Sequence, residues 1–324
     1  MPRTGLSDQE FINVWNQHHS AAAVARYLGI KERVVHSRRR KVESKHAIRL
    51  TTFDTRPTYD QSMLVTADRV EVKLKILDGI VIVGNDAHFW PGHIPTMHRA
   101  FCSLSKKLKP FAQVWNGDFF DGPSISRFPS IGWEKNPAVS EELEAVRERS
   151  QEAMKASPNS KRIWTAGNHD LRFESRLATV ASEFGKVHGM HLKDHIPGWT
   201  PAWFITVNEG TPSHTEIRHR QKGGIHASYN NTKEVGVTMV TGHDHRADVV
   251  AYDDRRGRRY GVRTGMMADS ARDAPFVQYT EARCANWQSG IAVLTYKAGM
   301  LLQPELALRV DENTYQFRGE IIKC

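Results

Sequence analysis

Short clusters of polar residues follow short apolar runs along this chain of 324 residues, and they restrict its fold more than any other feature. The first cluster, GNDAHF, begins at Gly84, directly after the run Ile80 to Val83. Later clusters read GDFFD, GNHD, GGIHAS and GHDH. An apolar run that ends in glycine and polar residues is typical of a buried strand followed by a tight turn. Because open α/β sheets place their ligand sites at the carboxyl ends of strands, we expect the polar side chains of these clusters to converge.

The residue types in the clusters are those that bind divalent metal ions. A carboxylate can bridge two cations and offset their charge, while neutral imidazoles and an amide oxygen complete each coordination shell. Two ions roughly 3.5–4 Å apart can hold a hydroxide and both reacting oxygens for an in-line displacement at phosphorus. A single cluster would indicate little, but several in succession favour a two-metal centre.

The order of the clusters resembles the pattern of the calcineurin-like metallophosphoesterase family. That pattern is D-x-H, G-D-x-x-D, G-N-H-[DE], a lone His and G-H-x-H. It stands here as Asp86-Ala-His88, Gly117-Asp118-Phe-Phe-Asp121, Gly167-Asn168-His169-Asp170, His226 and Gly242-His243-Asp-His245. The resemblance implies an α/β fold over residues 71–324, a four-layer α/β/β/α sandwich of two mixed sheets with helices outside. It also implies a phosphoric-ester hydrolase with two divalent metal ions.

The resemblance further implies a role for each matched residue. The ligands of one ion would be Asp86, His88 and His245. The ligands of the second would be Asn168, His226 and His243, with Asp118 bridging the two ions. His169 would act as the catalytic acid or stabilise charge on phosphorus, Asp170 would orient the His169 ring, and Asp121 would lie behind the ligands.

Two assignments within this set stay open. The lone histidine is taken as His226 because small residues surround it, but His214 and His219 lie close by in the sequence. The ions are expected to be Mn, with Fe or Zn as alternatives, because Asp, Asn and His ligands suit all three.

Arg246, directly after His245, is a candidate for binding a phosphate oxygen.

The N-terminal segment carries most of the net charge. Residues 1–50 contain ten Lys and Arg against four Asp and Glu, which accounts for +6 of the formal +9. Capping and periodicity predict three helices, with Ser7 and Glu10 as a capping box and Gly29 ending the second helix. The segment resembles a helix-turn-helix module, in which the second helix of the pair enters the major groove of DNA. The DNA contacts that this implies are Arg33, His36, Ser37, Arg40 and Lys41. A helical bundle that docks on a protein is the alternative.

A DNA phosphodiester is the substrate that best unites the two parts of the chain. Phosphoprotein phosphatases of the superfamily usually carry Arg and Glu where this sequence has Gly122 and Asp170, and the G-N-H-D form is shared with nucleases. The chain as a whole resembles phosphoesterases of phages and prophages. A phosphomonoesterase or cyclic-nucleotide phosphodiesterase, or a DNA-binding protein with an inactive phosphoesterase fold, are the alternatives. The segment 122–137 could contact substrate through Arg127, Phe128 and Trp133, or form an ordinary packed loop.

The remaining features bear on organisation and compartment. Residues 51–70 lack a helical period and are predicted to link the two parts, and Asp78-Gly79 is predicted to turn a hairpin between strands 70–77 and 80–84. Cys102, Cys284 and Cys324 have no paired spacing, which fits a reducing cytosol. The polar start and the short apolar runs predict neither a secretion signal nor a membrane span, so a cytoplasmic protein is expected.

Overall fold

A computed structural model describes residues 6–50, 71–128, 135–269 and 286–324. The chain divides into two compact units, residues 1–60 and 61–324. The predicted linker 51–70 lies outside the described residues. In the ranges that are described, no helix is both long enough and apolar enough to cross a bilayer.

The N-terminal unit is a small helical bundle. Its helices are α1 (Asp8–His18), α2 (Ala21–Leu28) and α3 (Glu32–His46). Ser7 and Glu10 form the predicted capping box on α1, and Gly29 takes the left-handed conformation (φ 66°) that lets α2 turn directly into α3. The core between the three helices includes Phe11, Trp15, Val24, Leu28, Val35 and Val42.

The larger unit contains two sheets. The strands, in chain order, are β1 (Glu71–Leu74), β2 (Gly79–Gly84), β3 (Ala112–Asn116), β4 (Lys161–Thr165), β5 (Thr200–Ala202), β6 (Phe204–Val207), β7 (Thr215–Arg218), β8 (Thr238–Thr241), β9 (Ala247–Asp254), β10 (Gly257–Thr264), β11 (Gly290–Lys297), β12 (Met300–Leu301), β13 (Glu305–Arg309), β14 (Thr314–Phe317) and β15 (Glu320–Lys323). One sheet has the order β1-β6-β7-β8-β10-β9. The other has the order β15-β14-β13-β11-β2-β3-β4-β5, with β12 paired to β11. Both sheets mix parallel and antiparallel pairs.

Helices cover the outer face of each sheet. The bounds are α4 (Thr96–Leu108), α5 (Val139–Ala156), α6 (Asp170–Val180) and α7 (Ala227–Val235), with short 3-10 helices at Pro123–Ile125, Ser182–Phe184 and Leu192–His195. A core rich in valine and isoleucine joins the two sheets, and it includes Val81, Val114 and Val240. A second core, which contains Phe101 of α4 and Val146 of α5, lies between these helices and the nine-stranded sheet, while α7 packs on β8, β9 and β10. The predicted four-layer α/β/β/α sandwich is confirmed.

The prediction of a hairpin at Asp78-Gly79 is wrong. β1 pairs with β6 in one sheet, whereas β2 pairs with β11 and β3 in the other. The Asp78 carboxylate binds Lys297 Nζ at 2.8 Å and accepts from the backbone N–H of Ala298, so this turn is fixed against the β11–β12 connection. The chain therefore crosses at this point from the six-stranded sheet to the nine-stranded sheet. The apolar strand β2 is buried there between two neighbouring strands.

Candidate metal centre

The ends of four strands bring most of the predicted ligands together. Asp86 and His88 follow β2, Asp118 follows β3 and Asn168 follows β4, all in the nine-stranded sheet. His243 and His245 follow β8 in the six-stranded sheet. The ligand set thus lies at one edge of the sandwich and draws on both sheets, as carboxyl ends of parallel strands allow.

The backbone at these positions adopts a conformation that side-chain-bearing residues rarely take. Five of the candidate ligands have positive φ: Asp86 (49°), His88 (40°), Asp118 (52°), His243 (71°) and His245 (59°). Each such residue costs free energy in the folded state unless its surroundings fix it there. Because the strained residues are concentrated in these turns, we infer that the backbone conformation directs their side chains into the site at a cost in local stability.

Two glycines make room for the turns. A Cβ atom on Gly167 would lie 2.1 Å from Asp118 Oδ1, and one on Gly242 would lie 0.9 Å from Asn85 Nδ2. The first contact cannot be relieved by a small shift because the backbone N–H of Asp118 is held by Asp170, and the second is too short for any small shift to relieve. The glycines of G-N-H-D and G-H-D-H are therefore required by close approach between strand ends.

The first group of ligands is Asp86, His88 and His245, whose ligand atoms all lie within 4.8 Å of one another. Asp86 is fully buried, and its Oδ2 accepts a 2.8 Å hydrogen bond from the His243 backbone N–H. Its Oδ1 lies 3.4 Å from His245 Nε2, which is long for a charged hydrogen bond. A divalent cation among these three residues would satisfy a buried carboxylate that the protein alone leaves poorly paired, so the site fits a metal ion.

The second group is Asp118, His219 and His243. His219 Nε2 lies 3.1 Å from Asp118 Oδ2 and 3.3 Å from Asn168 Oδ1. Its Nδ1 lies 2.8 Å from the carbonyl oxygen of Asn116, to which it donates, so Nε2 faces the candidate ion site. Such a bond on the far ring nitrogen is what usually orients a metal-binding histidine.

The structure corrects the assignment of the lone histidine from His226 to His219. His226 is exposed at the start of α7 and is absent from the groups of ligand residues, whereas His219 is 2% exposed. The small residues around His226 serve the start of a helix instead of a strand end. The signal that could have found His219 is its position directly after the alternating strand TEIR, which is how Asp86 and Asp118 follow their strands.

Asp121 lies between two imidazoles. Its Oδ1 is 2.9 Å from His88 Nδ1 and 2.6 Å from His169 Nδ1. Because this carboxylate receives the Nδ1 side of both rings, it turns the Nε2 side of each toward the ligand group. Asp121 thus orients both His88 and His169, and its predicted position behind the ligands stays a prediction.

The prediction that Asp170 orients the His169 ring is wrong, because the Asp170 carboxylate binds the backbone instead. The Asp170 carboxylate accepts hydrogen bonds from the backbone N–H groups of Gly167 (2.9 Å), Asp118 (2.8 Å) and Phe120 (3.1 Å). It therefore fixes the turns after β3 and β4 against each other and does not orient the His169 ring. A buried carboxylate that serves three backbone donors stabilises main-chain geometry.

Burial and neighbouring charges together set the protonation of the side chains in the site. Burial lowers the pKa of His88 and of His243, which keeps both imidazoles neutral. Burial alone would lower the pKa of His219, but the Asp118 and Asp86 carboxylates outweigh it and raise that pKa to about 10. Burial likewise opposes ionisation of Asp118, yet the imidazoles of His219, His169 and His88 hold its pKa well below the usual range. The positive charge of His219 thus offsets part of the carboxylate charge that a bound metal ion would offset.

Arg172 is a residue that the sequence motifs did not indicate. It lies one turn after His169 on α6, donates to the carbonyl oxygen of Asp121 at 2.8 Å, and its Nη2 lies 3.3 Å from His169 Nε2. A guanidinium here can meet the negative charge of a phosphate held beside His169. Arg246 is half-buried after His245, and its backbone N–H binds Asp244 Oδ1 at 3.3 Å. Arg127 lies over the ring of Phe128, and Trp133 lies outside the described residues.

The histidine and carboxylate ligands lie at the ends of strands of the four-layer sandwich. The order of these residues along the strand ends agrees with the order that the sequence motifs predicted. No protein-family model matches the chain. Over 220 residues it is 25% identical to the gene 54 protein of Mycobacterium phage L5 and 24% identical to that of Mycobacterium phage D29. Both matches cover 61% of this chain and 81% of the phage protein.

Three solved structures are similar to this chain. A single mutant of Vps29 from Entamoeba histolytica has 12% identity and a TM-score of 0.38, over 76% of this chain and 99% of that chain. Wild-type Vps29 complexed with Zn²⁺ has 13% identity and a TM-score of 0.40, over 75% and 98%. A dimetal phosphatase from Danio rerio has 10% identity and a TM-score of 0.36, over 76% and 98%.

Proposed function

We propose that the chain is a phosphodiesterase that depends on two divalent metal ions and hydrolyses DNA. The observation that carries the proposal is the meeting of two ligand groups, Asp86, His88 and His245 beside Asp118, His219 and His243, at one edge of the sandwich. Asn168 lies next to His219 and supplies the amide oxygen that the second group needs. Manganese is the proposed ion, since a mixed carboxylate, amide and imidazole set suits it.

When bound, two such ions polarise the phosphorus centre and supply a hydroxide nucleophile. The chain itself holds and orients the reacting groups. Asp118 Oδ1 accepts from the His169 backbone N–H at 2.7 Å, which fixes the loop that carries His169 beside both ligand groups. The His169 ring is held at Nδ1 by Asp121. Burial opposes its cationic form, but Asp121 and Asp118 outweigh burial and raise the pKa of the ring, and the cationic ring can donate a proton from Nε2 to a leaving oxygen. Arg172 lies within hydrogen-bond distance of that nitrogen and can bind a non-bridging oxygen of the phosphate.

The N-terminal unit supports a DNA substrate. All five predicted contact residues (Arg33, His36, Ser37, Arg40 and Lys41) are exposed on α3. Arg33, Ser37, Arg40 and Lys41 line one groove on this surface. The neighbouring arginines have other partners, since Arg38 lies over Phe11 and Arg39 lies over Trp15 and binds Glu43. The exposed cations therefore form a face that could neutralise DNA phosphates.

Hydrolysis of three substrates tests the proposal: bis-p-nitrophenyl phosphate, single-stranded DNA and double-stranded DNA, each with added Mn²⁺. We expect activity on the small diester and on DNA, and loss of both in Asp118→Asn by about 10³-fold, because this removes the carboxylate of the second group, which the family resemblance assigns as the bridge between the two ions. Hydrolysis of the small diester without cleavage of any DNA would contradict the substrate. Full activity of Asp118→Asn would contradict the metal centre.

A triple variant tests the role of α3. Arg33→Gln, Arg40→Gln and Lys41→Gln together should weaken double-stranded DNA binding and flatten its salt dependence by roughly three units of slope, because each lysine or arginine releases about one counterion. The matched control is Lys106→Gln, Lys107→Gln and Lys323→Gln, which removes three exposed cations of the larger unit. Equal binding by the triple variant and the wild type would assign α3 to a different partner.

A further inference from the structure

The segment that follows His219 forms an exposed rim beside the metal centre. We use the name rim for residues 220–229, which include Arg220, Ile225 and Tyr229. Ile225 is 75% exposed and Tyr229 is 40% exposed, and Arg220 is exposed as well. The rim therefore exposes an isoleucine, a tyrosine and an arginine beside a ligand group.

The buried Arg263 places the rim next to the ligands. Its guanidinium donates from Nη1 to the carbonyl oxygen of Gly224 at 3.2 Å and to Asp244 Oδ2 at 2.8 Å, and from Nη2 to the carbonyl oxygen of Ile225 at 3.3 Å. Asp244 stands between the candidate ligands His243 and His245. One side chain therefore connects the rim directly to the turn that carries two ligands.

The rim is fixed although it is exposed. Asn231 Nδ2 donates to the carbonyl oxygen of Lys222 at 2.9 Å, and Lys222 Nζ binds Glu234 at 2.6 Å. Arg263 itself is 4% exposed and is held by Asp248, which also accepts from Ser228 Oγ. A surface that keeps its backbone fixed while it exposes isoleucine and tyrosine loses little entropy when a ligand binds.

The chemistry of the rim matches a nucleotide. Arg220 is exposed and directly follows the candidate ligand His219 in the chain, so its cation is placed beside the second ligand group. Tyr229 meets Tyr252 edge-on at 5.3 Å between ring centroids, and Lys233 lies over its ring at 5.9 Å, so the tyrosine is held in place. Cations beside exposed apolar and aromatic side chains are what single-stranded nucleic acids bind.

We propose that the rim binds the nucleotide next to the scissile phosphate of a DNA strand, with Arg220 on its phosphate and Ile225 and Tyr229 against its base. This inference rests on the proposed DNA phosphodiesterase function. It gives the catalytic unit its own affinity for polynucleotide, separate from that of α3. The exposed His226 belongs to this surface and not to the metal shell.

The test compares two substrates in the full chain that already carries the triple substitution on α3. Ile225→Ser with Tyr229→Ser should lower kcat/KM for a six-nucleotide single strand about tenfold more than for bis-p-nitrophenyl phosphate, through KM, because stacking on one base is lost. The matched control is Ile321→Ser with Lys323→Gln on β15, where Ile321 is 71% exposed, and its ratio between substrates should not change. Equal losses on both substrates would overturn the proposal, as would a protein partner that binds the rim without any effect on DNA.

Binding of the same oligonucleotide, followed by fluorescence anisotropy, separates this inference from the proposed function. If the wild type binds the strand through the rim but does not cleave it, the phosphodiesterase proposal fails and the rim proposal stands. If it cleaves the strand while the double variant binds and cleaves equally well, the rim proposal fails alone. Arg220→Gln should reduce the slope of affinity against salt by about one unit, whereas Lys323→Gln should leave the slope unchanged.

Discussion

At the scale of single residues, His219 and His226 differ in what surrounds them. His219 Nε2 lies 3.1 Å from Asp118 Oδ2, whereas His226 is exposed. We expect His219→Ala to abolish binding at one of two metal sites, because a buried ligand is lost, and His226→Ala to leave both intact. Isothermal titration with Mn²⁺ gives the stoichiometry directly. Two ions bound by His219→Ala, or one ion bound by His226→Ala, would reverse the assignment.

Glu142 on α5 is a buried acid beside the site whose charge opposes folding. It is fully buried, and burial raises its pKa to about 8, above a value of 4.5 for an unshifted group, although it accepts from the Gly122 N–H. Between these two values the unfolded chain has lost the proton that the folded chain retains, so the contribution of Glu142 to stability falls as pH rises from 4.5 to 8.

Glu142→Gln removes this penalty and keeps an oxygen for Gly122. We expect the metal-free variant to have a higher Tm than the wild type at pH 8, since each kcal/mol gained shifts the Tm of a unit of this size by about 2–4 °C. The difference should shrink toward zero as pH falls to 4.5. A variant less stable than the wild type at pH 8 would show that Glu142 is paired as an anion.

The motifs predicted much of the site but not its internal contacts. The order of strand ends was sufficient to group Asp86, Asp118 and His245, since carboxyl ends of strands meet at one edge. It could not separate His219 from His226, because that choice depends on where β7 ends and α7 begins. Nor could it show that Asp121 and not Asp170 faces His169, which depends on side-chain direction within a turn.

At the scale of elements, α7 lies unusually close to β10. A Cβ atom on Gly261 would stand 2.0 Å from the carbonyl oxygen of Ser228 in the first turn of α7. Gly261→Ala must therefore displace the helix, and we expect a loss of about 1–3 kcal/mol in the free energy of unfolding. Gly223→Ala is the matched control, because nothing lies within 4 Å of its Cβ position. Urea unfolding of both variants measures the difference, and equal stability would contradict this packing.

Element types followed from local patterns, whereas their pairing did not. The capping box of α1 and the stop at Gly29 depend on neighbours in sequence, and both formed as predicted. The partner of β1 depends on burial across the whole unit. β1 pairs with β6 and not with β2. This pairing depends on how apolar residues from distant parts of the chain are buried between the two sheets, and a short stretch of sequence does not contain that information.

At the scale of the whole molecule, metal removal should act on one unit. The candidate ligands all belong to the unit 61–324, so added Mn²⁺ should raise the unfolding temperature of that unit alone. Saturation at about 100 times Kd stabilises by roughly 2.7 kcal/mol per site. The rise should be larger at pH 8 than at pH 6.5, because an ion must displace the proton that His219 holds up to about pH 10. Calorimetry resolves the transitions, and a shift in the N-terminal unit would contradict the assignment.

The ligands come from both sheets of the sandwich, and this has a consequence for the interior. Asp86 and Asp118 are carried by one sheet and His219 and His243 by the other, so the valines and isoleucines between the sheets set the separation of the two halves of the ligand set. A change such as Val114→Ala thins that interior without touching a ligand. We therefore expect the volume of the hydrophobic core to affect which ion binds. A shorter or longer distance between the ligands of the two sheets suits cations of different radius.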